Sequence, residues 1–505
     1  MNLSTSKLAT TETILENFEV DSQDRSVPWQ PHRYQKKAVK FLLEHAASAL
    51  FLDPGLGKTS VALAAIKFLK QRKLLSRVLL IAPLRVCHSV WPAEIKKWTD
   101  FTGLRFNLLH GPKKDEALQV NADIYVINPE GLGWLLQVEK SKSIYGKTRV
   151  NFDMKRWKAF EFDTLIVDEL SKFKHTNTVR FKALKLTLGT FGRRWGLTGS
   201  PAPNGLLDLF GQCYVLDQGR TLGPYITYYR LRYFIQSYDG FSWELREGAD
   251  QEIYQRLAPL ALRMAADDYL EMPELIENNI YVELPENVME IYNQLERDLI
   301  AKIDQRMVVA SNAAAASTKC RQVANGGVYL DPEMCNLLKL VKSQREWVNL
   351  HEEKLDALEE LIGELQGSPL LVAYDFEHDL DRLRKRFGKD IPYIGGGVSA
   401  KRSNELTLLW NAGKLPVLFG HPQAVAHGLN LQGAGNHVCW HSLTWDYELY
   451  DQFIYRVRRQ GNKAKRVFVH HLLARSTIDE VILATLKSKR RGQNALFEAL
   501  QKMRK

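Results

Sequence analysis

The sequence predicts an α/β protein in which parallel sheets are flanked by helices, folded as more than one unit. Three observations carry this expectation. The chain has 505 residues, more than one hydrophobic core organises when domains run to about 150 residues each. Short unbroken apolar runs, "ASALFL", "VLLIAP", "IYVINP" and "TLIV", suit strands buried on both faces. The first of them passes through "DPGLGK" into "TSVALAAIKFLK", which has helical spacing and helix-forming residues.

A strand, a tight glycine turn and a helix make a phosphate cradle, because N–H groups of the turn and of the helix N-terminus point at an anion. Gly55 and Gly57 let the backbone approach, Lys58 would reach the outer phosphates, and Thr59 would offer a hydroxyl to Mg²⁺. The strict G-x-x-x-x-G-K-[ST] pattern is broken at its first position, which is Leu52. The apolar strand "TLIV" ends in Asp168–Glu169, at the end of a parallel strand where such sheets expose their chemistry. Asp168 would hold Mg²⁺, and Glu169 would orient and polarise an attacking water. Together the two segments read as an ATPase centre.

Composition narrows the setting. With 45% apolar and 25% charged residues the chain reads as a soluble globular protein, and its formal charge of +11 favours a polyanionic partner. Cys87, Cys213, Cys320, Cys335 and Cys439 form no C-x-x-C pair, which argues for a reducing compartment and against a zinc ribbon or disulfide framework. The N-terminal segment lacks a basic start followed by an apolar core, so no signal peptide is expected. No apolar run approaches the roughly 18 residues of a membrane span. A cytoplasmic protein with no membrane partner is expected.

From about residue 28 to 485 the chain resembles the Swi/Snf-type superfamily 2 helicase-like ATPases. It is most similar to compact phage and bacterial members and to the annealing-helicase and fork-remodelling branch. The motifs fall in order: "PHRYQKKAV", "DPGLGKT", "VLLIAPLRVCHSVWPAEIKKW", "VDEL", "RWGLTGSPAPNGLLDLFGQCYVL", "SPLLVAYDFEHDLDRL", and "AHGLNLQGAGNHVCWHSLTWDYELYDQFIYRVRRQGN". Leu170 and Ser171 stand where the family commonly has Ala-His.

The resemblance implies two RecA-like lobes with a largely helical inter-lobe segment. It further implies that Gln35 reads the adenine edge with Arg33 nearby. Pro54, Gly55, Leu56, Gly57, Lys58, Thr59 and Ser60 would hold the phosphates of ATP with Mg²⁺, and Gly428 and Asn430 in "HGLNL" would couple to nucleotide and DNA. Thr198 and Ser200 in "LTGSP" would transmit nucleotide state. The residues of the last motif suggest the same: Gln452, Arg456 and Arg459 stand at helical spacings of four and three, so one helix face would carry them. Arg459 would be an arginine finger, with Arg456 a second γ-phosphate contact; such a finger is worth about 10³–10⁵ in rate.

In the resembling family DNA runs across both lobes, held by phosphate contacts. Candidates are Arg85, Lys96, Lys97, Arg193 and Arg194 in the first lobe, and Lys401, Arg402 and the Trp440 and Trp445 region in the second. The expected order is a polar lead (1–27), the first lobe (28–215), the inter-lobe segment (216–340), the second lobe (341–485) and a basic tail (486–505). The inter-lobe segment should contain a hairpin about Asp239–Gly240 and long helices over "ENVMEIYNQLERDLIAKIDQRMVVASNAAAASTKCRQVA". The tail is open between a bracing helix and a DNA contact.

Three functions are considered. The one favoured is an ATP-driven translocase on duplex DNA that remodels forks, junctions or annealed strands. Another is a strand-separating DNA or RNA helicase, with single-stranded DNA a possible ligand. The third is a factor that displaces a protein from DNA. A monomer is expected, in a bacterial or phage-infected cytoplasm; the protein partner is open.

Overall fold

In the computed structural model the described residues are 27–137, 139–142, 148–151, 154–237, 243–304, 310–330, 334, 338, 347–426 and 428–503. Nearly all of the expected polar lead, the Asp239–Gly240 turn and Cys335 lie outside them. The described chain forms two compact units, one from residues 27–270 and 489–503, the other from residues 271–488.

The first unit holds a seven-stranded sheet. Its strands are β1 (Ala47–Leu52), β2 (Val78–Ile81), β3 (Phe106–Leu108), β4 (Ile124–Ile127), β5 (Thr164–Asp168), β6 (Arg193–Thr198) and β7 (Ala261–Met264). The order is β7-β1-β6-β5-β2-β4-β3, and every pairing is parallel. The apolar runs match their burial: all residues of β2, β4, β5 and β7 are buried, as are five of the six in β1. Strands covered on both faces have no polar side to show, which is why the sequence runs are unbroken rather than alternating.

The second unit holds six parallel strands: β8 (Glu274–Val282), β9 (Leu370–Ala373), β10 (Tyr393–Ile394), β11 (Val417–Gly420), β12 (His437–Trp440) and β13 (Arg466–Ala474). Their order is β8-β13-β12-β9-β11-β10. Successive residues serve opposite faces: Leu371, Leu418 and Val438 enter one core cluster, while Leu370, Val372, Val417 and Phe419 enter another.

Two expected boundaries are corrected. Residues 216–340 do not form a unit of their own, because β7 completes the first sheet and β8 joins the second. The first unit accordingly extends from residue 215 to 270. The C-terminal segment, open between a bracing helix and a DNA contact, belongs to the helix Ile478–Lys502, and its Leu496, Phe497 and Leu500 pack in the first unit's core. The expected hairpin is present as Phe234–Gln236 paired antiparallel with Trp243–Leu245. The long helices are Glu286–Asp304 and Ala310–Asn325. A second hairpin, Glu139–Lys142 with Thr148–Asn151, lies in the basic stretch before β5 and was not anticipated.

Buried charge ties the second unit together. Lys354 Nζ lies 2.6 Å from Asp479 Oδ2, with both side chains almost fully enclosed, and it also donates to Asn325 Oδ1 (2.9 Å) and to the His441 carbonyl (3.3 Å). His441 is held to about 3 by burial. Removing one member of such a pair strands the other in a dry interior. Lys354→Ala is expected to cost about 3–5 kcal/mol of unfolding free energy in urea, while Lys385→Ala at an exposed position stays within about 0.5 kcal/mol of wild type.

Candidate nucleotide site

The site is assembled at the C-terminal ends of three adjacent strands. Parallel register sets Phe51 of β1 opposite Thr198 of β6, and Leu197 of β6 opposite Asp168 of β5. The loop after β1, the Thr198 turn and the Asp168–Glu169 pair therefore emerge side by side, although positions 53 and 198 are 145 apart in the chain.

The loop turns through Gly55 (φ 96°) and Gly57 (φ 76°), in the left-handed region that side chains resist. Gly57 caps the helix Lys58–Gln71, so the helix opens with its N–H groups toward the loop. A Cβ on Gly57 would come within 2.5 Å of Gln35 Nε2. Leu56 is fully buried, while Pro54, Gly55, Thr59 and Lys58 are half-buried around the turn; Lys58 Nζ donates to the Leu52 carbonyl at 2.7 Å. Ser60 Oγ donates to Glu94 Oε2 (3.1 Å), which also accepts from Trp98 Nε1 (2.7 Å).

Gln35, expected to read a base, holds the loop in this structure. Its Nε2 donates to the Leu56 carbonyl (3.2 Å) and its Oε1 accepts from the His32 backbone N–H (2.9 Å). Arg33 is exposed at the start of the helix Arg33–Glu44.

Asp168 is buried, and each oxygen has a donor: Trp91 Nε1 to Oδ2 at 2.9 Å and the Glu169 N–H to Oδ1 at 3.1 Å. Burial pushes the Asp168 carboxyl up, opposed by the Trp91 hydrogen bond, the Lys58 charge and the Glu169 N–H. Glu169 sits in the left-handed region (φ 57°, ψ 63°), a strained backbone of order 1–3 kcal/mol that clusters at functional sites. Thr198 Oγ1 donates to Glu169 Oε2 at 3.5 Å and accepts from the Ser200 N–H at 3.2 Å. The departure at Leu170 has a packing reason: a Cβ on Gly196 would meet Leu170 Cδ2 at 2.4 Å, so the leucine fills space over β6 that a glycine leaves.

These residues fit a magnesium nucleotide. A glycine cradle at a helix start suits phosphate, and a hydroxyl with a carboxylate are the hard oxygen donors that Mg²⁺ takes. Thr59 and Asp168 supply them. Trp91, Glu94 and Thr198's grip on Glu169 were not legible as partners, because nothing in local spacing links Trp91 to a carboxylate 77 residues away.

In the second unit the last motif departs from expectation. Its helix, Tyr447–Ile454, carries Gln452 but ends before Arg456 and Arg459, which follow in turns; the three do not share a helix face. Arg456 instead reaches the glycine loop. Its Nη1 donates to the Leu429 carbonyl (3.0 Å), its Nε to the Gln452 carbonyl (3.2 Å), and its own carbonyl accepts from Leu431 N. Arg459 Nη1 donates to Asn430 Oδ1 at 2.5 Å. Gln452 Nε2 donates to Glu448 Oε1 (3.3 Å), and Gly428 turns the loop with φ 76°. The structure thus joins Gln452, Arg456, Arg459, Asn430 and the Gly428 turn into one cluster.

Of the expected DNA contacts, Lys96, Lys97 and Lys401 are exposed, and Arg85 and Arg402 half-buried, Arg402 paired with Glu405 (3.3 Å). Burial lowers the Arg85 pKa. Arg193 and Arg194 are corrected to structural residues. They start β6, at the end of the strand away from Thr198. Arg194 donates to the carbonyls of Leu188, Phe191 and Leu216, and Arg193 to that of Leu43. Trp440 is likewise corrected: it is fully buried, 5.0 Å between ring centroids from both Tyr450 and Phe453. Trp445 is half-buried and donates to Ser317 Oγ (3.1 Å).

The SNF2-related domain family model matches residues 34–337. The chain belongs to that family. Protein p41 of Acyrthosiphon pisum secondary endosymbiont phage 1 is 34% identical over 490 residues, covering 94% of this chain and 99% of that one. YwqA of Bacillus subtilis (strain 168), which carries the name of an ATP-dependent helicase/translocase, is 23% identical over 489 residues, 92% of this chain and 48% of its own length. The chain thus spans the full phage relative but about half of the Bacillus one. A solved SWI2/SNF2 ATPase core of Sulfolobus solfataricus in complex with dsDNA is 22% identical, with a TM-score of 0.40 and 94% of each chain covered. As a member of the SNF2-related family the protein is an ATP-hydrolysing enzyme. Among the described residues no helix is long and apolar enough to cross a membrane.

Trp91→Phe keeps the ring and removes the N–H. With one of its lowering influences gone, the Asp168 pKa moves further up, so the carboxylate forms only at higher pH. The acid limb of the pH–rate profile for ATP hydrolysis should move to higher pH with the plateau retained, as steady-state assays across pH will show; an unmoved limb would remove Trp91 from the site.

Proposed function

We propose that the protein is an ATP-driven translocase that tracks duplex DNA and remodels branched DNA, such as forks, four-way junctions and strands to be annealed. The observation that carries this reading is the meeting of the Gly55–Lys58 turn, Asp168–Glu169 and Thr198 at one end of a parallel sheet, in a chain of this family.

The triphosphate lies against the N–H groups of the loop, and Lys58 leaves the Leu52 carbonyl to meet its outer oxygens. Thr59 and Asp168 would hold Mg²⁺, which would neutralise charge on the phosphates. Glu169, set by its backbone and by Thr198, orients the attacking water and takes its proton. Loss of the γ-phosphate alters the hydrogen bond from Thr198, and through the Ser200 N–H that change enters the turn after β6. Gln35 keeps its second N–H and a free lone pair on Oε1 for an adenine edge. Within the second unit Arg456 and Arg459 form a basic pair suited to phosphate, with Asn430 presenting Arg459. Binding and loss of the γ-phosphate favour alternate states of the protein, and phosphate contacts at exposed residues such as Lys96, Lys97 and Lys401 turn that alternation into steps along a polyanion. The net charge of +11 supports such a track. The phage source of the p41 relative supports a bacterial or phage-infected cytoplasm as the setting.

Lys58→Ala and Glu169→Gln should each abolish turnover in a phosphate-release assay, whereas Arg459→Ala should keep ATP affinity within about threefold and slow hydrolysis by about 10³ or more. Wild-type rates in the Glu169 or Arg459 variants would refute those roles.

Hydrolysis should be stimulated more by forked and four-way-junction DNA than by linear duplex. Stimulation by RNA alone, or by a protein partner far above naked DNA, would replace the reading with an RNA helicase or a displacement factor.

A further inference from the structure

The C-terminal segment "LKSKRRGQNALFEALQKMRK" carries Leu496, Phe497 and Leu500, which fall on one helix face by their spacing. All three are buried in the first unit's core. The segment is fastened there by Lys489 Nζ to Asn204 Oδ1 and Gln501 Nε2 to Asp268 Oδ2, at 2.9 and 2.8 Å.

Phe497 meets a charge. Arg263 of β7, 8% exposed, lays its guanidinium over the Phe497 ring, 3.6 Å from the centroid. Arg263 Nη1 donates to the Phe51 carbonyl (3.2 Å) and to Asp53 Oδ1 (2.5 Å). Asp53, itself 7% exposed, accepts a further hydrogen bond at Oδ2 from the Ala266 N–H (2.9 Å). Asp53 is the residue immediately before Pro54–Gly55–Leu56–Gly57–Lys58, so this ion pair fixes the point where the phosphate loop leaves its strand.

We propose that Phe497 is a positioning residue of the nucleotide site: by covering Arg263 it keeps the Arg263–Asp53 pair dry and the phosphate loop set for ATP. The inference rests on the assignment of ATP to the Lys58 loop. An aromatic face attracts a desolvated cation more strongly than an exposed one, and excluding water strengthens the Arg263–Asp53 bond. With the ring face gone, water reaches the guanidinium and Asp53 loosens. The loop then loses on binding the freedom it had already lost in the wild type, which weakens affinity. A segment remote in sequence thereby acts on nucleotide affinity without touching nucleotide.

The test uses full-length protein. Phe497→Leu keeps an apolar side chain of similar volume and removes the ring face, Phe497→Tyr restores the face, and Leu496→Ala removes packing from the same helix while leaving the ring. Two readouts are taken: affinity for a fluorescent ATP analogue by titration, and hydrogen–deuterium exchange of amides 53–59 in nucleotide-free protein. Phe497→Leu should weaken affinity about fivefold and quicken exchange, Phe497→Tyr should restore both, and Leu496→Ala should lower the melting temperature while leaving both at wild-type values. The proposal is overturned if Phe497→Leu leaves affinity and exchange unchanged, or if the Phe497 and Leu496 variants change both in step with their melting temperatures. Lys58→Ala separates the two readings. If it loses the analogue while Phe497→Leu behaves as wild type, only the brace fails; if it binds normally, the loop is not the nucleotide site and the brace falls with it.

Discussion

Parallel pairing of β1 with β6, and of β6 with β5, is the constraint on which the rest of the first unit depends. Parallel strands cannot be joined by a short turn, so each must return by a crossover, and all three deliver their C-terminal ends to the same edge. The glycine loop, Thr198 and Asp168–Glu169 meet there because the strands do. A one-residue slip between β5 and β6 would turn their side chains to the opposite face. It would take Thr198 from Glu169 and set Leu170 against a different residue of β6. Burial on both faces holds that register, and Gly196 under Leu170 locks it locally.

Arginine and lysine do much of the remaining work inside each unit, by ending in the hydrogen bonds that strand ends leave unmade. Arg194 gathers three carbonyls at the start of β6. Arg263 ties β7 to the exit of β1. In the second unit Arg456 stitches the Gly428 loop to the last motif, and Lys354 meets Asp479 in the interior. A guanidinium offers five N–H donors in a plane, so one side chain closes several such gaps. A basic composition therefore has two readings at once, as a surface for a polyanion and as internal scaffolding, and residues such as Arg193 and Arg194 belong to the second.

The departures from family pattern follow the same physics. Leu52 in place of a first motif glycine is a buried strand residue whose carbonyl accepts from Lys58. Its side chain packs in the sheet while its backbone serves the loop. Leu170 and Ser171 are both buried, so that turn after Glu169 is packed rather than exposed. Glu169 is held by its left-handed backbone and by Thr198.

The sequence by itself determined the α/β class, the strands flanking the site and the places of the glycine loop and the carboxylate pair. Each of these is written in a contiguous stretch: an unbroken apolar run for a doubly covered strand, glycines where φ is positive, acids at a strand end. The tertiary structure alone decided that Trp91 holds Asp168, that Gln35 grips the loop, that Arg456 and Arg459 lie beyond their helix on the Gly428 loop, and that Phe497 covers Arg263. Those partners are separated by tens to hundreds of residues, and their pairing depends on strand order and register. A local pattern carries propensity and burial, whereas the choice among many arginines and aromatics is made only when the sheets close and water is excluded.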